Sequence, residues 1–433
     1  MNELAEKLNK QLEGTIALDV LSDFGKNAYM PNGITVQSAN CKKLATKYNA
    51  TIGVALDSSK TPMNLKSVRS FFSNDLTASE IFAYSLGLGN AELRKAWKED
   101  MIYKNPSLKA PTSLPAVASG LTNSLFIAAK LFISPGDSVV IPNLYWENYD
   151  LVFSNQCGGI IHNFNLFKDG KFDVADFKKT LLEAPGSKVV FVLNFPNNPT
   201  GYTPTKDEAA QIVNAVKEVS EKKKVVAICD DAYFLLFFEE NCIKESLFTS
   251  LADLSENIMA VKCDAATKEE EVWGFRVGFI TFASKGLTES HYKALESKVA
   301  GVIRGTISCV STPGQTILLH ALTDRKEQMK AERKEAIGIM KERYEILKSE
   351  IMKRESLFGI MCPLPFNSGY FMSFELRENK SDEYQKELLE KDGIGVISLF
   401  GKYIRIAFSS VDKACIPDLV KTIYDRAEAF FGK

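Results

Sequence analysis

From Ser138 to about Ala283 short apolar runs alternate with stretches whose apolar residues recur every three or four positions. The runs Val139–Ile141, Val189–Leu193, Val225–Cys229, Ile258–Lys262 and Val277–Ala283 are mostly apolar throughout, as strands buried on both faces are. Between them Lys206–Lys222 sets Ile212, Val213, Val216 and Val219 at helical spacing. This alternation predicts an α/β fold, a mostly parallel, doubly wound sheet with helices on both faces, three layers in all. From Asp324 to Glu355 dense charge with Met, Ile and Leu at three- and four-residue intervals predicts one long helix leaving that core. Tyr370–Leu376, Gly395–Leu399 and Tyr403–Phe408 then read as strands and Lys413–Phe431 as a closing helix, a smaller α+β domain. Met1–Gln11 reads as an amphipathic helix with Leu4 and Leu8 on one face. The chain divides into an arm contributing to the small domain (1–65), a large domain (66–324) and a small C-terminal domain (325–433).

Composition narrows the function. At 433 residues, 45% hydrophobic and 25% charged, the chain can bury a large core. A formal net charge of −1 speaks against nucleic acid as an obligate partner, because phosphate backbones are held by surplus Lys and Arg. No apolar run approaches the ~18 residues needed to span a bilayer. Eight scattered cysteines without a CxxC pair, beside three histidines, point to neither a metal site nor a disulfide scaffold. The N-terminus lacks the pattern of a signal peptide, so the expected location is the reducing cytoplasm.

Candidate chemistry gathers at strand ends. Lys268 lies between the runs Ile258–Lys262 and Val277–Ala283, where a loop between strands is expected, and Arg276 follows eight positions later. Alone, a lysine followed by Glu269, Glu270 and Glu271 has the composition of a solvated turn. Its companions change that reading. Asn194-Phe195-Pro196-Asn197-Asn198-Pro199-Thr200-Gly201 directly follows one strand, at the edge where open α/β sheets bind ligands. Asp230-Asp231-Ala232-Tyr233 follows another, and a carboxylate at the end of an apolar strand implies a cationic partner, for which a protonated pyridine nitrogen is suitable. Ser119-Gly120-Leu121-Thr122-Asn123 opens the apolar helix Ser124–Ile133, whose amino end can receive a phosphate, although the same residues also serve as an ordinary cap. Trp146, in Tyr145-Trp146-Glu147-Asn148-Tyr149, offers a ring to stack on a flat ligand, or to fill core. Arg276, between Gly274 and Gly278, offers the two-pronged geometry that phosphate accepts. Together these residues describe a phosphorylated pyridine aldehyde bound as an imine.

With these motifs the chain resembles the class I/II aminotransferase family of fold type I pyridoxal-phosphate enzymes, from roughly Ile52 to the C-terminus. Tyr84-Ser85-Leu86-Gly87-Leu88-Gly89-Asn90-Ala91-Glu92-Leu93-Arg94 is similar to a further family segment, and the strand ending at Phe408 to the one carrying a carboxylate-binding arginine. The resemblance implies that Lys268 forms the internal aldimine and then shuttles the proton. It implies that Asp230 pairs with the ring nitrogen, that Asn198 and Tyr233 bond the phenolic oxygen and that Trp146 stacks on the ring. The phosphate would be held by Gly120, Leu121, Thr122, Arg276 and Tyr84 of the other subunit of a homodimer, and the substrate α-carboxylate by Arg405 beside Asn198. A cis Asn198-Pro199 bond occurs in some relatives. The implied activity is transfer of an amino group from an amino acid to a 2-oxo acid by a ping-pong route.

There are departures from the family pattern. Ala265 stands where relatives often have a phosphate-binding Ser, leaving Thr267 or Thr122 to compensate. The glutamate run must point away from the cofactor. The segment Ile52–Ser58 lies where relatives have a glycine beside the substrate. Arg304 lies near where dicarboxylate-specific relatives place an arginine from the neighbouring subunit, and is equally suited to a helix end or interface. A lyase or decarboxylase on the same fold would use the same lysine, aspartate and arginines. A non-catalytic effector-binding module would need a DNA-binding domain, and none of that length precedes Ile52.

Overall fold

The computed structural model describes residues 2–15, 18, 21–29, 34–51, 53–72 and 76–432. Met1 of the expected N-terminal helix and Ile52 lie outside them; the described helix is Glu3–Gln11. Seven strands, β1 (Ala116–Ala118), β2 (Ser138–Pro142), β3 (Ile160–Phe164), β4 (Lys188–Asn194), β5 (Lys224–Asp230), β6 (Ile258–Ala265) and β7 (Gly278–Ala283), form the large sheet in the order β1-β7-β6-β5-β4-β2-β3. Strands β2 to β6 are parallel, and β7 runs antiparallel to both neighbours.

Alternation along each strand builds two cores. In β4, Val190 and Val192 belong to the core on one face, which also holds Leu125 and Ala128, while Val189, Phe191 and Leu193 belong to the core on the other, with Ile212 and Val216. Helices therefore cover both faces: α1 (Ala91–Lys104), α2 (Leu121–Phe132) and α3 (Lys206–Ser220) all belong to this layer structure. Helix α3 starts in a capping box, with Thr205 and Glu208 each satisfying the other's backbone N–H. The two strands absent from the sequence reading are the edges. Ile160–Phe164 carries His162 and Asn163 and is partly exposed, and Ala116–Ala118 spans only three residues.

After β6 the chain makes a single helical turn, α4 (Ala266–Glu269), rather than the loop expected around Lys268. The long helix α5 (Lys326–Met352) leads to an antiparallel sheet of β8 (Met361–Pro363), β9 (Phe371–Leu376), β10 (Ile397–Leu399) and β11 (Tyr403–Ala407), ordered β8-β9-β11-β10. The closing helix α6 is Ile416–Phe431; the expected first turn at Lys413 is instead a separate 3-10 turn capped by Asp412. Tyr48–Asn49 pairs in parallel with Ile394–Gly395, which ties the N-terminal arm to this smaller domain.

Gly201 marks the seam between the two domains. Its carbonyl accepts from the backbone N–H groups of Asn367 and Ser368, each at 2.9 Å, and its φ is +73°. A Cβ there would lie 1.9 Å from the carbonyl oxygen of Phe371, so backbone must move to admit one. Gly201→Ala is expected to cost about 2–5 kcal/mol, from left-handed strain and overlap together. A denaturation midpoint equal to that of the unsubstituted protein would refute this account of the seam.

Candidate active site

The carboxyl ends of β4, β5 and β6 lie side by side, with Asn194 in register with Asp230 and Asp230 with Cys263. A cavity of about 280 Å³ opens there. Its walls include Leu121, Thr122, Trp146, Asn198, Asp230, Tyr233, Thr267, Lys268 and Arg276. Motifs separated by up to about a hundred and fifty residues therefore meet in one place, because each follows a strand or opens a helix at the same sheet edge.

Asp230 is buried at the end of β5. The Tyr149 hydroxyl donates to its Oδ2 at 2.5 Å and the Ala232 N–H to its Oδ1 at 3.0 Å. Burial pushes its carboxyl up to about 6, against the pull of the Tyr149 hydrogen bond and of Lys268. Lys268 shares the cavity, with Nζ 4.4 Å from the centre of the Tyr233 ring. Burial brings its ammonium down to about 8; Asp230 opposes that shift and Arg276 adds to it. A lysine so desolvated spends part of its time as the free amine that a nucleophile must be.

At the other end of the cavity Gly120 caps α2 with φ +79°. A Cβ on Gly120 would lie 2.2 Å from Arg276 Nη2, and one on Gly278 would lie 2.5 Å from the Gly120 carbonyl carbon. Both glycines let the guanidinium and the helix start approach closely. Arg276 is exposed at the mouth and donates from Nη1 to the Trp273 carbonyl at 3.2 Å. The Thr267 hydroxyl is buried without a hydrogen-bond partner among the described residues. It faces this problem alone, since Ala265, at the N-cap of α4, brings no side-chain donor. Free N–H groups at the start of α2, an orphaned hydroxyl and a guanidinium together suit a phosphate dianion.

Arg405 comes from β11 of the smaller domain and is fully buried. It donates to Asn198 Oδ1 at 3.0 Å and to the Thr51 carbonyl at 3.1 Å, and stacks 4.1 Å from the Phe371 ring centre. Its Nε has no partner among the described residues, and burial brings the guanidinium down to about 10. Arg405 thus stands behind Asn198 rather than in the cavity wall. The Asn198-Pro199 bond is cis, as is Phe195-Pro196.

Besides Arg405 and Gly120, which stand behind the lining, two expected residues lie away from the cavity. Tyr84 is 94% exposed, and its sequence neighbours Phe82 and Leu86 are exposed too. Arg304 is exposed and donates to the Ser308 hydroxyl at 2.6 Å. Sequence reasoning missed Gly53, Asn194, Ala232 and Trp273, which line the cavity, and Tyr149, which holds Asp230. Four of them sit inside or beside the motifs singled out. Gly53 is the glycine of the segment Ile52–Ser58, and a Cβ there would lie 3.1 Å from Phe371 Cζ.

The glutamates after Lys268 do point away from the cavity, but into protein rather than solvent. Glu269 pairs with Lys104 of α1, and Glu270 with Arg333 of α5. Asp100 joins the two cations, 2.8 Å from Lys104 and 3.2 Å from Arg333. All five side chains are buried. Next to them Lys262 of β6 pairs with Asp231 and, at 3.2 Å, with Asp264, which accepts from the Trp97 indole.

The sequence pattern described as aminotransferase class I and II matches residues 48–423, and the chain belongs to that family. It is 24% identical over 305 residues to the aspartate aminotransferase of Thermotoga maritima, covering 68% of this chain and 70% of that protein. Among solved structures, an aminotransferase from Anaerococcus prevotii superposes with a TM-score of 0.84 at 22% identity, over 94% of this chain and 99% of that one. The cytoplasmic aspartate aminotransferase of Saccharomyces cerevisiae superposes with a TM-score of 0.75 at 20% identity, over 95% and 98%. The fold is that of these enzymes, and the protein is a transferase. No described helix is long and apolar enough to cross a membrane.

Removing one partner of a buried ion pair leaves the other charge stranded. Arg333→Ala is therefore expected to lower stability by about 3–5 kcal/mol, read from the denaturation midpoint, and a loss below about 1 kcal/mol would contradict the pairing. In the cofactor-free protein, the rate of reductive methylation at Lys268 should rise through a midpoint near pH 8, since its folded ammonium loses the proton there. A midpoint above pH 10, that of a solvated lysine, would overturn the desolvated setting.

Proposed function

We propose that the cavity holds pyridoxal phosphate and that the protein moves an amino group from an amino acid to a 2-oxo acid by a ping-pong route. The observation that carries this reading is the meeting of Lys268 and Asp230 with Leu121, Thr122, Thr267 and Arg276 in one cavity, Gly120 standing directly behind Arg276. When bound, the cofactor supplies an electron-withdrawing ring that weakens the bonds at the substrate's α-carbon. Everything else is work for the chain's own side chains.

Lys268 Nζ holds the cofactor, and its lowered proton affinity suits it to take a proton from the α-carbon and return it. Asp230, buried and short of a cation in its own chain, would pair with the ring nitrogen and keep it protonated. Tyr149 keeps that carboxylate in place from behind. Asn198 and Tyr233 would bond the phenolic oxygen, and Trp146 would stack on the ring and exclude water. Leu121 and Thr122 through their N–H groups, the Thr267 hydroxyl and Arg276 would hold the phosphate, with Thr267 taking over where Ala265 has no hydroxyl. Arg405, already oriented by Asn198 and Thr51, has Nε to spare for a substrate carboxylate.

The exposed surface around Tyr84 fits a homodimer in which Tyr84 completes the phosphate site of the other subunit. Arg304 is placed at that subunit boundary by the family resemblance alone. Eight unpaired cysteines fit the reducing cytoplasm.

The test is a half-reaction. Adding an amino donor to the cofactor-loaded protein should convert the absorbance of the pyridoxal form to that of the pyridoxamine form, and a 2-oxo acid should reverse it. Product release without need of an oxo acid would instead identify a lyase or decarboxylase. Lys268→Ala should abolish turnover, and transamination retained in that variant would sink the assignment.

A further inference from the structure

Of the three glutamates after Lys268, Glu269 and Glu270 are ion-paired and Glu271 is not. Glu271 is only 8% exposed, and among the described residues no group hydrogen-bonds or ion-pairs with its carboxylate. Burial pushes that carboxyl up to about 7, with Glu270 adding to the shift and Arg343 opposing it. Arg343 itself is taken up by the carbonyls of Ser409 and Leu56. A buried carboxylate without a partner is costly, and a ligand cation is one way to relieve it.

Glu271 lines a cavity of about 370 Å³ whose walls are otherwise largely apolar, among them Val54, Met63, Leu65, Val68 and Phe275. Trp273 lines this cavity and the Lys268 cavity alike. The two also meet at the step from Gly53, which lines the first, to Val54, which lines the second. Gly53 in turn approaches Phe371, on which Arg405 stacks. The two cavities are therefore neighbours, with Trp273 and the Gly53-Val54 step between Lys268 and Glu271. Beyond Glu271 lies a smaller cavity, of about 260 Å³, bordered by Asp57, Glu332 and Glu335 as well as Lys66. Asp57 and Glu332 already accept hydrogen bonds from Ser59, Thr61 and Ser67. Arg69 is the cation in the apolar lining, and it is exposed to solvent. The carboxylate left over, in the least solvated position, is Glu271.

We propose that the cavity beyond Trp273 receives the substrate's side chain and that Glu271 selects a basic amino acid, one whose apolar stem ends in an ammonium or guanidinium group. The stem matches the aliphatic walls, and the cationic end supplies the donors that Glu271 lacks. This rests on the aminotransferase reading, and deepens it to a substrate class. It also assigns no part of the side-chain recognition to Arg304, which would suit a dicarboxylate.

The test uses the cofactor-loaded protein. Lysine, ornithine and arginine should surpass norleucine and glutamate as donors in kcat/KM, and Glu271→Gln should reduce the lysine-to-norleucine ratio by about tenfold or more. A preference for glutamate, or a ratio unmoved by the substitution, overturns the proposal. A second measurement needs no turnover. Calorimetry should find δ-guanidinovalerate, which is arginine without its α-amino group, bound about tenfold more tightly than valerate, with the difference lost in Glu271→Gln. Equal binding of the two by the unsubstituted protein overturns the proposal even if transamination is found. If no donor of any class transaminates, the aminotransferase reading fails, and the calorimetric comparison still judges Glu271 by itself.

Discussion

A carboxylate inside a protein has to be paired, and the turn that carries Lys268 is built on two that are. Glu269 and Glu270 reach cations from different helices, Lys104 at the end of α1 and Arg333 in α5, with Asp100 shared between them. Desolvating any one of these groups alone costs several kcal/mol, so the cluster is stable only when all its members are in place. That requirement fixes α4 against α1 and α5 at once. Since α5 leads into the smaller domain, the position of Lys268 and the placement of that domain are set by the same contacts.

The same arrangement explains how a lysine beside three glutamates can hold its proton weakly. Charge next to Lys268 in sequence is not charge next to it in space. The cations Lys104 and Arg333 meet Glu269 and Glu270 on the far side of the turn, and what acts on Nζ is burial, opposed by Asp230 and aided by Arg276. A second cluster, Lys262 with Asp231 and Asp264, binds the ends of β5 and β6 beneath the cavity. Asp230 is thereby left as the carboxylate that faces the cavity without a cation of its own beyond Lys268. The internal cations Lys104, Lys262 and Arg333 pair with Glu269, Asp231 and Glu270, and none of them reaches Asp230.

Much of this was legible in the sequence. Strands covered on both faces write themselves as apolar runs, and ligand-binding motifs follow them because open sheets bind at strand ends. Edge strands lack that signature, so Ile160–Phe164 with its His and Asn passed unnoticed. The fate of the glutamates was not legible for a different reason. Glu-Glu-Glu has the composition of a solvated turn, and the cations that reverse that meaning lie 165 positions away for Lys104 and 63 for Arg333. Tyr149 stands three residues from Trp146, yet its hydroxyl is the one that holds Asp230, a pairing across 81 positions that no local pattern announces.

Glu271 follows from the same physics with the opposite outcome. Its two predecessors show that this chain, when it buries a carboxylate near Lys268, brings a cation from another helix to meet it. Helix α5 passes close enough to supply Arg343 as well as Arg333, but Arg343 is committed to two backbone carbonyls. Glu271 is left in a left-handed backbone conformation, φ +55°, beside an apolar cavity. Such conformations cost about 1–3 kcal/mol for a residue other than glycine and persist where the surroundings over-determine them. A buried, unpaired carboxylate on a strained turn is doubly unfavourable to folding. The cavity beside it is where a cationic group could relieve both costs, and that cavity shares Trp273 with the one that holds Lys268.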